Sequence, residues 1–275
     1  MAHVKLFIAD VDGTLVTQDK ALTSRAKAAV QALHEAGIQF AITSGRPPRG
    51  MAMLVKPLAL TTPVAAFNGG LLVEPDLVTV LEQHTLPRAA AIGAVDVMLG
   101  EGLDVWVYRG SDWFVRQRDA PHVAHEEKTV QFAATMVGDI RSVVDDAVKV
   151  VGVGDDPPRV AHCENELRRR FTHEISASRS QPYYLDVTHP DANKGTVVKN
   201  LSRRLGVPAA HIATIGDMPN DVLMFGLGGV SIAMGNASSD VQRAARYVTT
   251  SNEDEGFANA VDRFVMNATV PPPGG

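Results

Sequence analysis

The feature that most constrains this chain is a recurrence: a short unbroken apolar run, a polar turn, then a helical pattern. Leu6-Phe7-Ile8-Ala9 has no polar alternation, as expected of a strand buried on both faces of a parallel sheet, and it stops at Asp10. Residues 23–36 place Ala26, Ala29, Val30 and Leu33 at helical spacing, with Thr23 or Ser24 to cap the helix and Gly37 to end it. The apolar run 38–43 completes a β-α-β unit. Residues 63–67 read as a further strand that stops at Asn68-Gly69-Gly70. After Lys194 the alternation resumes. It predicts a helix to about Leu205, a strand over 212–215, a helix after Asn220, a strand over 230–234 and a helix near 238–246. Repetition at both ends of the chain argues for one doubly wound, Rossmann-like α/β domain with a parallel sheet.

The middle reads differently. Strand-like segments at 105–108, 147–153, 173–178 and 183–187 mix with helical patterns at 89–99 and 159–170. That mixture fits a smaller α+β domain inserted into the first. The expected division is a core of residues 1–82 and 190–275 and an insertion of residues 83–189. The chain would enter and leave the insertion near 82–86 and 189–193, where a hinge could act.

Composition excludes several classes. With 26 Lys+Arg against 31 Asp+Glu the net charge is −5, so there is no basic footprint for nucleic acid. The single cysteine, Cys163, forms no intrachain disulfide. No apolar stretch approaches the ~18 residues that would span a bilayer, and the run ending at Asp10 is too short for a secretory signal. The expectation is a cytoplasmic protein with no membrane partner. The tail Pro271-Pro272-Pro273-Gly274-Gly275 should pack no core. Nine histidines include no His-Glu-Xaa-Xaa-His, and His122 and His125 read as surface residues.

Four polar turns carry the chemistry. Asp10-Val11-Asp12-Gly13-Thr14 follows the first strand, and a period of two would put both carboxylates on one side. Paired acids repel unless a cation or a shared proton intervenes, and a hard oxygen-seeking ion, most simply Mg²⁺, answers that need. An EF-hand is excluded, since its glycine falls at loop position 6 and it needs a Glu at 12. Thr43-Ser44-Gly45-Arg46 offers a hydroxyl and freed backbone N–H groups to phosphate oxygens at a sheet's carboxyl edge. Asn193-Lys194-Gly195-Thr196 puts a lysine at a helix start, where the dipole also favours an anion. Gly216-Asp217-Met218-Pro219-Asn220-Asp221 repeats the first pattern and carries more polar residues than a helix cap requires.

Together, in this order, these motifs resemble those of the haloacid dehalogenase superfamily of phosphohydrolases, and within it the Cof-type branch with a type IIB cap. Asn68-Gly69 also matches a loop of that branch. The gap of about 125 residues between Asn68 and Lys194 leaves room for such a cap, whereas Asp12 to Ser44 does not. The resemblance implies a phosphomonoester hydrolase acting on small soluble phosphates through a phosphoaspartate. Asp10 would be the nucleophile and Asp12 the general acid and base. Ser44 and Lys194 would bind the transferring phosphoryl group. Mg²⁺ would be held by Asp10, the Asp12 carbonyl and Asp217, supported by Asp221. Gly45, Arg46, Asn68 and Asn220 would contact substrate or phosphate. Specificity would sit on the cap, where Tyr108, Trp113, Arg116, Arg118 and Arg179 are candidates. A phosphomutase or phosphotransferase would use the same Asp10 and Asp12. A receiver-type signalling domain, the non-enzyme alternative, is shorter, has no insertion and lacks a nucleophile on its first strand.

Overall fold

A computed structural model describes residues 4–266. The proline-rich tail lies outside the described residues. The chain divides into two compact units. Among the described residues the first unit comprises 4–44, 53–65 and 193–266, and the second comprises 45–52 and 66–192.

In the first unit six strands pair in parallel, in the spatial order Tyr247–Val248, Val230–Ala233, Ile212–Gly216, Leu6–Asp10, Gln39–Thr43, Val64–Ala66. The chain steps outward one way from Leu6–Asp10, then returns beside it and steps outward the other way. The carboxyl ends of Leu6–Asp10 and Ile212–Gly216 therefore flank the topological switch point, where open α/β sheets hold ligands. Every residue of both strands is buried, which is why their sequences do not alternate.

The helices follow their caps. Thr23 accepts the Ala26 N–H and opens helix Ser24–Glu35, and Gly37 follows in the left-handed region at φ 73°. Asn193 accepts the Thr196 N–H and opens helix Lys194–Leu205, which Gly206 ends at φ 64°. Phe7, Phe40 and Phe257 meet edge-on or stacked with ring centroids 5.8–6.3 Å apart, pinning helix Gly256–Ala260 to the sheet.

The second unit carries a six-stranded sheet in the order Ser176–Gln181, Tyr184–Thr188, Ala147–Val153, Asp104–Arg109, Asp112–Val115, Thr135–Met136, antiparallel except for the last pair. Val105, Val107, Phe114, Val150, Leu185 and Val187 face one side. There they pack on helices Arg88–Gly100 and Pro157–Arg170. The strand expected over 173–178 starts later, because residues 171–175 turn: the Glu174 N–H donates to the Phe171 carbonyl and His173 sits at φ 71°. The strands Asp112–Val115 and Thr135–Met136, helix Val123–Val130 and hairpin Leu71–Val73/Val80–Gln83 were not legible in the pattern. The strands are too short for periodicity to register.

The opposite face of that sheet is polar and aromatic. Trp106, Trp113 and Tyr184 meet edge-on, Tyr108 stacks on Trp113, and Lys149 pairs with Asp186 at 2.8 Å. Among the described residues, Asp104 Oδ2, Trp106 Nε1, Trp113 Nε1, the Tyr184 hydroxyl and Asp186 Oδ1 are buried there without a hydrogen-bond partner. No helix among the described residues is long and apolar enough to cross a membrane.

The phenylalanine cluster makes the fold testable. Phe257→Ala should lower unfolding free energy by about 3–5 kcal/mol in urea titration, the cost of an aromatic cavity in a packed core. A loss near that of an exposed substitution would show that the cluster does not hold the helix.

Candidate active site

The site begins at the end of the first strand. Asp10 is its last residue, buried, with Oδ1 2.5 Å from the Lys194 ammonium. Lys194 reaches it because Asn193 caps the helix at that point and the first turn faces inward. The lysine is 2% exposed, and its ammonium also donates to Asp221 Oδ1 at 2.5 Å.

Asp217 and Asp221 stand beside it, after the neighbouring strand. Asp221 Oδ2 accepts the N–H groups of Asp217 and Met218, both at 2.9 Å, so one carboxylate folds the turn and holds Lys194 at once. Gly216 is required there, since a Cβ would lie 2.3 Å from Asp221 Cγ. Gly13 sits at φ 79°, and a Cβ on it would lie 2.4 Å from Asp217 Oδ2.

Asp10, Asp217 and Asp221 offer ligand atoms that all lie within 4.8 Å of one another. Three carboxylates face one ammonium, a formal excess of two negative charges. Burial pushes Asp217 up to about 6, and Asp221 adds to the shift. Burial also raises Asp10 well above the usual carboxylate range; Lys194 opposes the shift, while Asp221 and Asp217 reinforce it. Burial would lower Lys194, but Asp10 and Asp221 outweigh it and keep the ammonium charged. An all-oxygen donor set with two uncompensated charges fits a hard divalent cation. Asp221 already spends both oxygens on protein donors, so Asp10 and Asp217 are the candidate direct ligands.

The remaining expected residues are placed as follows. Ser44 is buried one residue beyond the second strand, its N–H donating to the Ala65 carbonyl at 3.0 Å. Asn220 is exposed in the turn before Asp221. Gly45, Arg46 and Asn68 belong to the second unit. Within it Asn68 takes a left-handed conformation, its amide facing Gly45, and the Arg46 guanidinium donates to the Gly50 carbonyl at 3.0 Å. The Asp12 carboxylate, two residues past the last residue of the strand, is partly exposed and pairs with Lys20 at 2.8 Å. Among the proposed specificity residues, Tyr108 and Trp113 are buried in the aromatic stack. Arg116, Arg118 and Arg179 pair with Asp104, Glu127 and Glu164.

Three supporting residues escape motif reading. Thr14 Oγ1 donates to Asp217 Oδ1 at 3.1 Å. Asn236 Nδ2 donates to the Gly13 carbonyl at 2.9 Å and approaches Asp217 Oδ2 at 3.4 Å. Its Oδ1 accepts the Asn252 N–H at 3.0 Å, and Asn252 Nδ2 donates to the Val16 carbonyl at 3.1 Å. The available signal was positional: Asn236 follows a buried strand, as Asp10 and Asp217 do. Cys163 is buried in the core of the second unit, and burial pushes its thiol up to about 12.

Comparison with known proteins now bears on this geometry. The family profile described as haloacid dehalogenase-like hydrolase matches residues 7–261. The chain belongs to the haloacid dehalogenase-like hydrolases. Its structure is similar to that of a haloacid dehalogenase-like hydrolase from Bacteroides thetaiotaomicron, with TM-score 0.87 and 27% identity over 95% of this chain and 99% of that one. It is 26% identical to the 5-amino-6-(5-phospho-D-ribitylamino)uracil phosphatase YitU of Bacillus subtilis, over 94% of this chain and 97% of the relative. It is also 26% identical to the pyridoxal phosphate phosphatase YbhA of Escherichia coli, over 92% and 95%. The family and these relatives identify this haloacid dehalogenase-like hydrolase as a phosphatase. The receiver reading falls away.

The electrostatics predict a pH dependence. The folded chain holds a proton on Asp217 up to about 6, whereas the ordinary carboxylate value is 3.8. Metal-free protein should therefore lose stability as pH rises through that window. In chelator, urea unfolding of Asp217→Asn should show a shallower decline and greater stability than wild type at neutral pH. Parallel pH curves for the two proteins would contradict this.

Proposed function

We propose that this hydrolase is a Mg²⁺-dependent phosphomonoesterase of small phosphorylated metabolites that works through a phosphoaspartate on Asp10. One observation carries the reading: a buried carboxylate at the sheet's switch point, held by Lys194 beside a second acidic pair. Bound by Asp10, the Asp12 carbonyl and Asp217, the metal would offset the repulsion between a carboxylate nucleophile and a phosphate dianion.

The chain's own residues do the rest. An Asp10 oxygen attacks phosphorus in line, and the bond to the ester oxygen breaks. Asp12, partly exposed and outside the buried cluster, gives its proton to the departing alkoxide. It then takes a proton from the water that attacks the acyl phosphate, which releases inorganic phosphate and restores Asp10. Lys194 and Ser44 bind the phosphoryl oxygens as charge shifts among them, and Asn220 helps orient the group. By the resemblance to the family's motifs, Gly45, Arg46 and Asn68 are the further candidates for phosphate and substrate contacts.

Residues 83–189 are read as the substrate-specificity domain. Support comes from the polar, aromatic sheet face, whose buried indole N–H groups, hydroxyl and carboxylate oxygens lack protein partners. Such a surface suits a small leaving group that combines a ring with polar substituents. The named substrates of the two relatives, a phosphoribitylaminouracil and pyridoxal phosphate, are both of that kind. Water as the acceptor is favoured over a second hydroxyl, because these relatives are named phosphatases and not mutases.

Asp10→Asn should abolish phosphate release while leaving the circular dichroism spectrum unchanged, because an amide cannot attack phosphorus. Wild-type activity should vanish with EDTA, return with Mg²⁺ and fall sharply in Asp217→Asn. Retention of about a tenth of turnover by Asp10→Asn, or full activity after exhaustive chelation, sinks the mechanism.

Substitutions on the sheet face separate recognition from chemistry. Asp186→Asn and Tyr184→Phe should change the ranking of kcat/KM across a panel of sugar, nucleotide and cofactor phosphates, while Asp12→Asn depresses all alike. An unchanged ranking in both face variants would remove residues 83–189 from substrate selection.

A further inference from the structure

His84 and His189 are 105 positions apart in sequence, and both belong to the second unit. Within the second unit their rings come together, with centroids 5.6 Å apart and planes within 22°. With Asp191 they offer three ligand atoms that all lie within 4.8 Å of one another. The backbone on both sides is fixed. The His84 N–H donates to the Gly70 carbonyl at 2.8 Å, and the Ala192 N–H closes a turn onto the His189 carbonyl at 2.9 Å.

Three further distances point to a cation. His84 Nε2 is buried and makes no hydrogen bond, and the nearest acid, Glu82 Oε1, stands at 3.5 Å. His189 Nδ1 accepts the Asp191 N–H at 3.1 Å and lies 3.8 Å from that residue's carboxylate, so ligation through Nδ1 would exchange this hydrogen bond for the ion. The 3.8 Å gap between His189 and the Asp191 carboxylate exceeds a hydrogen bond, and ligands bound at ~2.1 Å on one tetrahedral ion sit about 3.4 Å apart. Two imidazoles on such an ion have ring centroids roughly 5 Å apart, close to the separation seen here.

We propose that His84, His189 and Asp191 form a second metal site, for Zn²⁺ and similar borderline cations, that ties together two segments of the second unit far apart in sequence. The donor sets sort the metals. Imidazole nitrogens with one carboxylate select Zn²⁺, Co²⁺ or Ni²⁺, whereas the three carboxylates around Lys194 suit a hard ion such as Mg²⁺. An ion here closes a long loop of chain, and Asp191 lies three residues before Lys194 in sequence. Binding only the folded chain, it would raise thermal stability. None of this depends on the phosphatase mechanism.

The test titrates Zn²⁺ into the full-length, metal-free chain in excess Mg²⁺, using a chromophoric chelator as competitor. Wild type should take up one Zn²⁺ per chain, melt at a higher temperature with it and, with Co²⁺ instead, show tetrahedral d–d absorption. His84→Gln and His189→Gln should each weaken uptake by at least about tenfold and lose the thermal shift, with unchanged melting in the absence of zinc. Asp217→Asn should keep both. If one histidine variant fails to fold, the other and Asp191→Asn carry the same readout. No stoichiometric uptake, uptake indifferent to the histidine substitutions, or uptake lost in Asp217→Asn would each overturn the proposal and leave an ordinary pair of ion-paired histidines.

Discussion

A single buried ammonium organises the carboxyl edge of the parallel sheet. Lys194 reaches Asp10 and Asp221 at once, from the first turn of a helix whose cap sets its start. Neither acid could be buried without it, since an unpaired carboxylate in a dry interior costs several kcal/mol. In turn the lysine requires both acids, because burial alone would strip its charge. The three side chains come from two adjoining strand ends and one helix start, so their pairing registers these elements at the switch point. Two formal negative charges are left over, an excess that suits a divalent cation.

The layer behind this cluster is built from hydroxyls and amides. Thr14 and Asn236 reach Asp217 from different loops, while Asn252 ties Asn236 to the carbonyl of Val16. Two glycines leave space for the carboxylates, Gly13 beneath Asp217 and Gly216 beneath Asp221. The acids are thus aimed by neutral donors and by vacated volume, which adds orientation without further charge.

The second unit uses its sheet differently. One face is buried against two helices and supplies the core. The other pairs Trp106, Trp113, Tyr108 and Tyr184 with Lys149 and Asp186, and leaves several donors and acceptors buried without protein partners. Unsatisfied buried groups of this kind are costly, so a sheet that concentrates them on one face is shaped by something other than stability. The histidine pair within this unit belongs to the same pattern: polar groups drawn together beyond the needs of packing.

The sequence alone determined the alternation of buried strands and capped helices, and with it the doubly wound sheet. The central strands are short, buried, mostly apolar runs bounded by polar turns, and the helices carry local caps at Thr23, Asn193 and Ser238. Asp10, Ser44, Lys194, Asp217 and Asp221 were legible because each lies within a few residues of a strand or helix end, where local pattern and chemistry coincide. Tertiary structure decided the rest. Asp12 lies in the turn past the strand, and only the traced turn reveals its pairing with Lys20. Asn236, Asn252 and the His84–His189 pair gain their roles from contacts between residues far apart in the chain, about which local periodicity carries no information. Short strands such as Thr135–Met136 exist only through pairing with a neighbour, here Asp112–Val115, so no run of side chains could announce them.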